Sequence, residues 1–112
     1  KSMVLLNTNG VSVIHYNHNI HVQKDVDILG FPVYETRDCE IKLYNIPEYC
    51  DYDLELYSAN DTKKCIARSA NGKNYDELIQ MTLEPGFYFV KVYSYMGYSD
   101  QKYSIKITRP FY

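Results

Sequence analysis

An all-β domain, built as a two-sheet antiparallel sandwich, is what the sequence predicts, and three observations predict it. From about residue 20 onward, apolar and polar side chains alternate in short runs. Turn-forming residues separate those runs at intervals of roughly 8–12 residues, the spacing of sandwiches and barrels. Apolar positions at helical spacing are nowhere sustained. With 112 residues the chain can bury one core but not two. An apolar share of 46% against a charged share of 23% is that of a chain that folds. Residues 20–112 are read as the sandwich, and residues 1–19 as a linker or N-terminal strand segment in which Val11 to Ile14 can pair.

Each strand is predicted from side chains two residues apart, which share a face. Leu29, Phe31 and Val33 face inward together, and Pro32, which donates no ladder bond, sets that strand at a sheet edge or a bulge. After the turn at Glu35 to Asp38 come Ile41 and Leu43; after Asn45-Ile46-Pro47-Glu48 come Leu54 and Leu56. Beyond the turns at Ala59 to Thr62 and Asn71 to Asn74 lie Ile79, Met81 and Leu83. Glu84-Pro85-Gly86 leads into Tyr88, Val90 and Val92, and Gly97 to Asp100 into Tyr103, Ile105 and Ile107. Each turn holds a residue that tolerates positive φ, presets a turn or bonds its own backbone.

Composition excludes several functions. The formal net charge is −2 and the basic residues are scattered, so neither nucleic acid nor anionic membrane is an expected partner. No apolar run approaches the roughly 18 residues that cross a bilayer. The opening Lys1 to Asn7 is too short an apolar stretch for a signal peptide, so an export signal is expected outside this segment. Cys39, Cys50 and Cys65 are an odd count without C-x-x-C spacing, which gives no zinc knuckle and no disulfide framework. Cys39 continues the inward alternation of Ile41 and Leu43, and reduced thiols are expected.

No catalytic constellation emerges. His15, His18 and His21 fall in the irregular first fifth of the chain and read as surface polar residues; on a strand, His15 and His21 would stand about 20 Å apart. Nucleophile elbows, zinc-helix motifs and phosphate-cradling glycine loops do not occur. The acid pairs Asp51/Asp53 and Asp76/Glu77 sit beside strand starts, where carboxylates face water or bond turn amides. Asp25 and Asp27 flank Val26, which turns both to one side as a candidate for a hard cation such as calcium. No cofactor is required by any motif.

Thirteen tyrosines and no tryptophan make the aromatic surface the functional lead, because tyrosine combines a rigid contact face with a polar tip. The alternation that buries Tyr88, Val90 and Val92 turns Phe87, Phe89, Lys91 and Tyr93 outward. Tyr57 and Tyr95, with Tyr98, are expected to extend this ligand-binding surface.

The runs Asp25-Val26-Asp27 before Phe31-Pro32-Val33, Asp51-Tyr52-Asp53-Leu54-Glu55-Leu56-Tyr57, Pro85-Gly86-Phe87-Tyr88-Phe89-Val90-Lys91-Val92 and Tyr103-Ser104-Ile105-Lys106-Ile107 together resemble a bacterial pre-peptidase C-terminal domain. That family includes the collagen-binding domains of clostridial collagenases, and the resemblance covers roughly residues 20–108. It implies a jelly-roll-like sandwich that is a non-catalytic accessory domain of a secreted or cell-surface peptidase. It also implies partners: a parent peptidase domain, and an extracellular polymeric protein such as collagen gripped by an aromatic sheet face on which Phe89 and Tyr93 stand. Asp25 and Asp27 match an acidic pair that helps bind calcium in the collagenase domains, although the N-terminal segment here lacks their further run of Glu and Asp. A monomer is expected. Two other readings stay open: a structural module that packs on its parent enzyme, and a carbohydrate-binding module.

Overall fold

The computed structural model describes residues 3–6 and 13–108; Val11 and the rest of residues 1–2, 7–12 and 109–112 lie outside the described residues. Nine strands are described: β1 (Met3–Leu5), β2 (Val13–Ile20), β3 (Val26–Val33), β4 (Arg37–Tyr44), β5 (Asp51–Ser58), β6 (Asp61–Ser69), β7 (Glu77–Leu83), β8 (Gly86–Met96) and β9 (Ser99–Thr108). They form a five-stranded sheet ordered β1-β3-β8-β5-β6 and a four-stranded sheet ordered β2-β9-β4-β7. Among the described residues no helix is long and apolar enough to cross a membrane.

The strand pairing is nested. β2 pairs with β9, β3 with β8, β4 with β7 and β5 with β6, all antiparallel, as if one long hairpin had been rolled up. The cross-links β4·β9 and β5·β8 then close the two sheets, which is the jelly-roll arrangement. β1 adds a short parallel strand beside β3. Its register ends at Gly30, so the described pairing on that side of β3 stops before Pro32, where a proline can be accommodated.

The core lies between the sheets and is built from the predicted inward positions. Leu29, Phe31, Val33, Leu54, Leu56, Val90 and Val92 come from one sheet; Ile41, Leu43, Ile79, Leu83, Tyr103, Ile105 and Ile107 come from the other, and all are buried. Met81 is half-buried and packs against this cluster. Phe31 stacks on Tyr88, and Tyr52 meets Tyr103 edge-to-face with centroids 6.1 Å apart, which joins the two sheets through aromatic contact. Burying such side chains supplies about 25 cal/mol per Å² of apolar surface removed from water.

Residues 13–19, left open between linker and strand by the sequence, form β2 with Ile20; Val13 to His18 pair with Thr108 to Tyr103 of β9, Ile20 pairs with Ser99 beyond a bulge, and Ile14 and Ile20 are buried. The three histidines therefore sit on or just after a strand. His18 Nδ1 donates to the carbonyl of Asn19 at 2.9 Å and to Asp27 Oδ2 at 3.2 Å, so this nitrogen carries the proton.

Candidate functional site

Alternation along β8 puts Phe87, Phe89, Lys91 and Tyr93 on the outer face of the five-stranded sheet. Their neighbours are fixed by register: Phe89 lies between Gly30 of β3 and Tyr57 of β5, Lys91 between Ile28 and Glu55, and Tyr93 between Val26 and Asp53. Phe89 and Tyr57 stand outside the core between the sheets, yet they are only 7% and 9% exposed. The reason is that they cover each other. Their rings stack at 5.1 Å with 8° between planes, and Lys91 Nζ lies 5.1 Å from the Tyr57 centroid, a cation–π contact.

Glu55 organises the polar tips of this face. Its Oε1 accepts from Tyr57 Oη at 2.7 Å and its Oε2 accepts from Tyr93 Oη at 3.2 Å. Arg68 of β6 donates to Tyr93 Oη at 3.2 Å and lies 3.6 Å from Glu55 Oε2. The hydrogen bond to Glu55, then burial, pushes the Tyr57 phenol up to about 12. Arg68 and Glu55 were not anticipated from the sequence. β6 is exposed along most of its length and has no alternation to reveal it, although Glu55 does share the phase of Tyr57.

Beside this network Gln23, Lys24, Asp25 and Val26 from the β2–β3 connection, together with Glu55, Lys91, Tyr93 and Ser94, line an open groove of about 370 Å³. Lys91 and Tyr93 of the predicted surface thus line one concavity together with Asp25, predicted as a cation ligand, while Phe89 and Tyr57 form the stacked layer next to it. Phe87 is half-buried. Tyr95 is 69% exposed and occupies a bulge, because Asp51 pairs with Met96 and Tyr52 with Ser94, which leaves Tyr95 unopposed on β5.

The two predicted cation ligands part company. Asp27 continues the inward phase of Leu29 and Phe31; it is buried and accepts hydrogen bonds from Tyr103 and His18. Asp25 lies on the turn before β3 with its Oδ2 3.5 Å from His21 Nδ1. Both carboxylates therefore have nitrogen or hydroxyl neighbours of their own.

A different set of acids converges. Asp51 and Asp53 of β5 and Glu77 of β7 each bring one carboxylate oxygen within 4.8 Å of the others. Of these strand-start acids, expected to face water or bond turn amides, Glu77, though 0% exposed, does accept from the amide of Asn71 in the turn before β7, whereas Asp53, 5% exposed, does not face water. Glu77 was legible, since it keeps the phase of Ile79, Met81 and Leu83. Its Oε1 accepts from Ser69 Oγ at 2.6 Å and from the Asn71 amide at 2.8 Å. Burial first, then the charges of Asp51 and Glu77, pushes Asp53 up to about 6, and burial also raises Glu77.

The sequence matches no protein-family model, and no curated protein matches it. Solved structures do match. The pre-peptidase C-terminal domain of collagenase from Bacillus anthracis superposes with a TM-score of 0.65 at 18% identity, over 96% of this chain and 91% of that one. The chain shares its fold with a pre-peptidase C-terminal domain. PliG of Aeromonas hydrophila, a periplasmic lysozyme inhibitor, gives 0.76 at 12% identity over 97% and 96% of the two chains. CorA of Methylomicrobium album, a surface-associated copper-binding protein, gives 0.62 at 8% over 97% and 98%. At these identities the likeness is one of fold, and the same sandwich carries different functions in different proteins.

Proposed function

We propose that this domain is a non-catalytic binding module, an accessory part of an exported peptidase or surface protein, that works outside the cytoplasm and holds a polymeric protein such as collagen. The observation that carries the reading is the outer face of the five-stranded sheet, where Lys91 and Tyr93 line an open groove beside the stacked Tyr57 and Phe89. Rigid aromatics with ordered polar tips give contact area at small entropic cost, because the rings and hydroxyls are already held before a partner arrives. The fold shared with a collagenase accessory domain agrees with this use.

The partner contact runs along Lys91, Tyr93 and Tyr95, with Phe87 at the far end of the strand and Phe89 and Tyr57 as the supporting layer. Co-sedimentation of the domain with fibrillar collagen tests it. Tyr93→Ala and Lys91→Ala should weaken binding by about tenfold or more, as interface hot spots do. Unchanged binding in both variants would remove this face from the account, and no binding by the parent domain would remove collagen. Running the same assay on an insoluble polysaccharide separates the carbohydrate reading.

A second reading, a module packed on its parent enzyme, is favoured by a separate observation. Tyr49 and Met96 are 89% and 62% exposed and line one cavity with Glu48, Cys50, Asp51, Lys73 and Asn74. Apolar surface of that kind suits a permanent neighbour. Limited proteolysis of the full-length protein tests it, since packing predicts protection of the Tyr49 loop that the isolated domain lacks.

A further inference from the structure

Asp51, Asp53 and Glu77 bring their carboxylates together between β5 and β7. Glu77 is fully buried, and only one of its oxygens is used: Oε1 takes two donors, while Oε2 has no hydrogen-bond partner among the described residues. Asp51 Oδ1 is likewise buried with no hydrogen-bond partner among the described residues. One oxygen from each of the three carboxylates lies within 4.8 Å of the other two, a separation at which three negative charges repel strongly. Arg68, whose charge acts on Asp53, has its guanidinium on Glu55 and Tyr93. A buried carboxylate oxygen left without a donor is costly, so the arrangement calls for a compensating positive charge.

The geometry points to a calcium site formed by Asp51, Asp53 and Glu77. All three donors are oxygen, with neither histidine nor thiolate in the group, which selects a hard cation over zinc or copper. Calcium accepts irregular oxygen shells of six to eight ligands, whereas magnesium demands a near-octahedral one. Asp51 also borders the open cavity lined by Glu48 and Asn74, so an ion has a way in and water can complete its shell. The ion would tie β5, in one sheet, to the first residue of β7, in the other. This site is separate from Asp25 and Asp27 and does not depend on the binding reading above.

The test is calorimetric titration of the metal-free domain with calcium chloride and with magnesium chloride, alongside thermal unfolding in each. One calcium ion should bind with a dissociation constant of about 0.1–1 mM, the range of extracellular modules, and raise the melting temperature. Asp51→Asn alters the most exposed of the three ligands and is expected to keep the fold, which circular dichroism checks. It should weaken calcium binding by about tenfold or more, because even lost outer-shell partners cost 10–100-fold. Asp25→Asn should bind calcium as the parent does. The proposal is overturned if calcium gives neither heat nor a melting shift, if magnesium acts as strongly as calcium, if Asp51→Asn binds unchanged, or if Asp25→Asn is the variant that loses the ion.

Discussion

Tyr57 and Phe89, from adjacent strands, stack within 8° of parallel on the outside of the five-stranded sheet, and each hides the other from water. The pair is therefore part of what holds the sheet face together. Phe89→Ala should destabilise the domain by about 3 kcal/mol, the loss of a buried phenyl ring and its stacking. Tyr57→Phe keeps the stack and removes only the bond to Glu55, at about 1–2 kcal/mol. Urea unfolding of both variants checks the ordering, which reverses if the hydroxyl rather than the ring dominates. Binding assays consequently need Lys91 and Tyr93 variants, since loss of Phe89 would confound contact with unfolding.

Asp27 and Tyr103 meet inside the sandwich, one from each sheet. Tyr103→Phe takes a donor from a buried carboxylate and should cost about 1–3 kcal/mol. His18 remains as a donor, so the variant should still fold, with a lower midpoint in urea and an unchanged slope.

Alkaline stability follows from the tyrosines. Burial and the neighbouring Asp27 raise Tyr103, burial raises Tyr52, and the bond to Glu55 with burial takes Tyr57 to about 12. A folded-state pKa above the unfolded one means that the native protein binds more protons. The stability these groups contribute is complete below about pH 10, the ordinary tyrosine value, and is lost as pH rises through about 12 and above. Melting temperature measured from pH 8 upward should fall from near pH 10. A flat profile to pH 12 would contradict the burial of these phenols.

Gly97 closes the β8–β9 turn with φ +84°, and a Cβ there would lie 2.8 Å from the Tyr49 carbonyl and 3.2 Å from Cys50 Cα. Gly97→Ala should therefore cost at least about 1–2 kcal/mol, from the left-handed backbone and the clash together. Thermal unfolding of this variant checks it, and a neutral result would mean that the Tyr49 loop yields.

Much of the fold was legible because period-two alternation is a direct record of which side faces the core. Leu29 with Phe31, Ile41 with Leu43 and Ile105 with Ile107 all kept their predicted sides. β6 left no such record, since it forms the exposed edge of its sheet and needs no apolar phase. β2 was obscured by asparagines and histidines that pair through backbone and polar bonds. At the candidate site, alternation gave the outward direction of Phe89 but not its burial, which depends on Tyr57 across the strand pair. The acidic cluster joins Asp51 and Asp53 to Glu77, 24 positions or more along the chain, and the fold brings them together where β5 and β6 meet β7.

In the proposed function the outer face of β8 meets the partner. Acetylation footprinting of the domain with and without fibrillar collagen tests it directly, because lysines lie on both outer faces. Lys91 stands on β8 of the five-stranded sheet, whereas Lys42 and Lys106 pair with each other on the four-stranded one. The account predicts that collagen protects Lys91 and leaves Lys42 and Lys106 as reactive as before. Protection of Lys42 and Lys106 with Lys91 unchanged would contradict it.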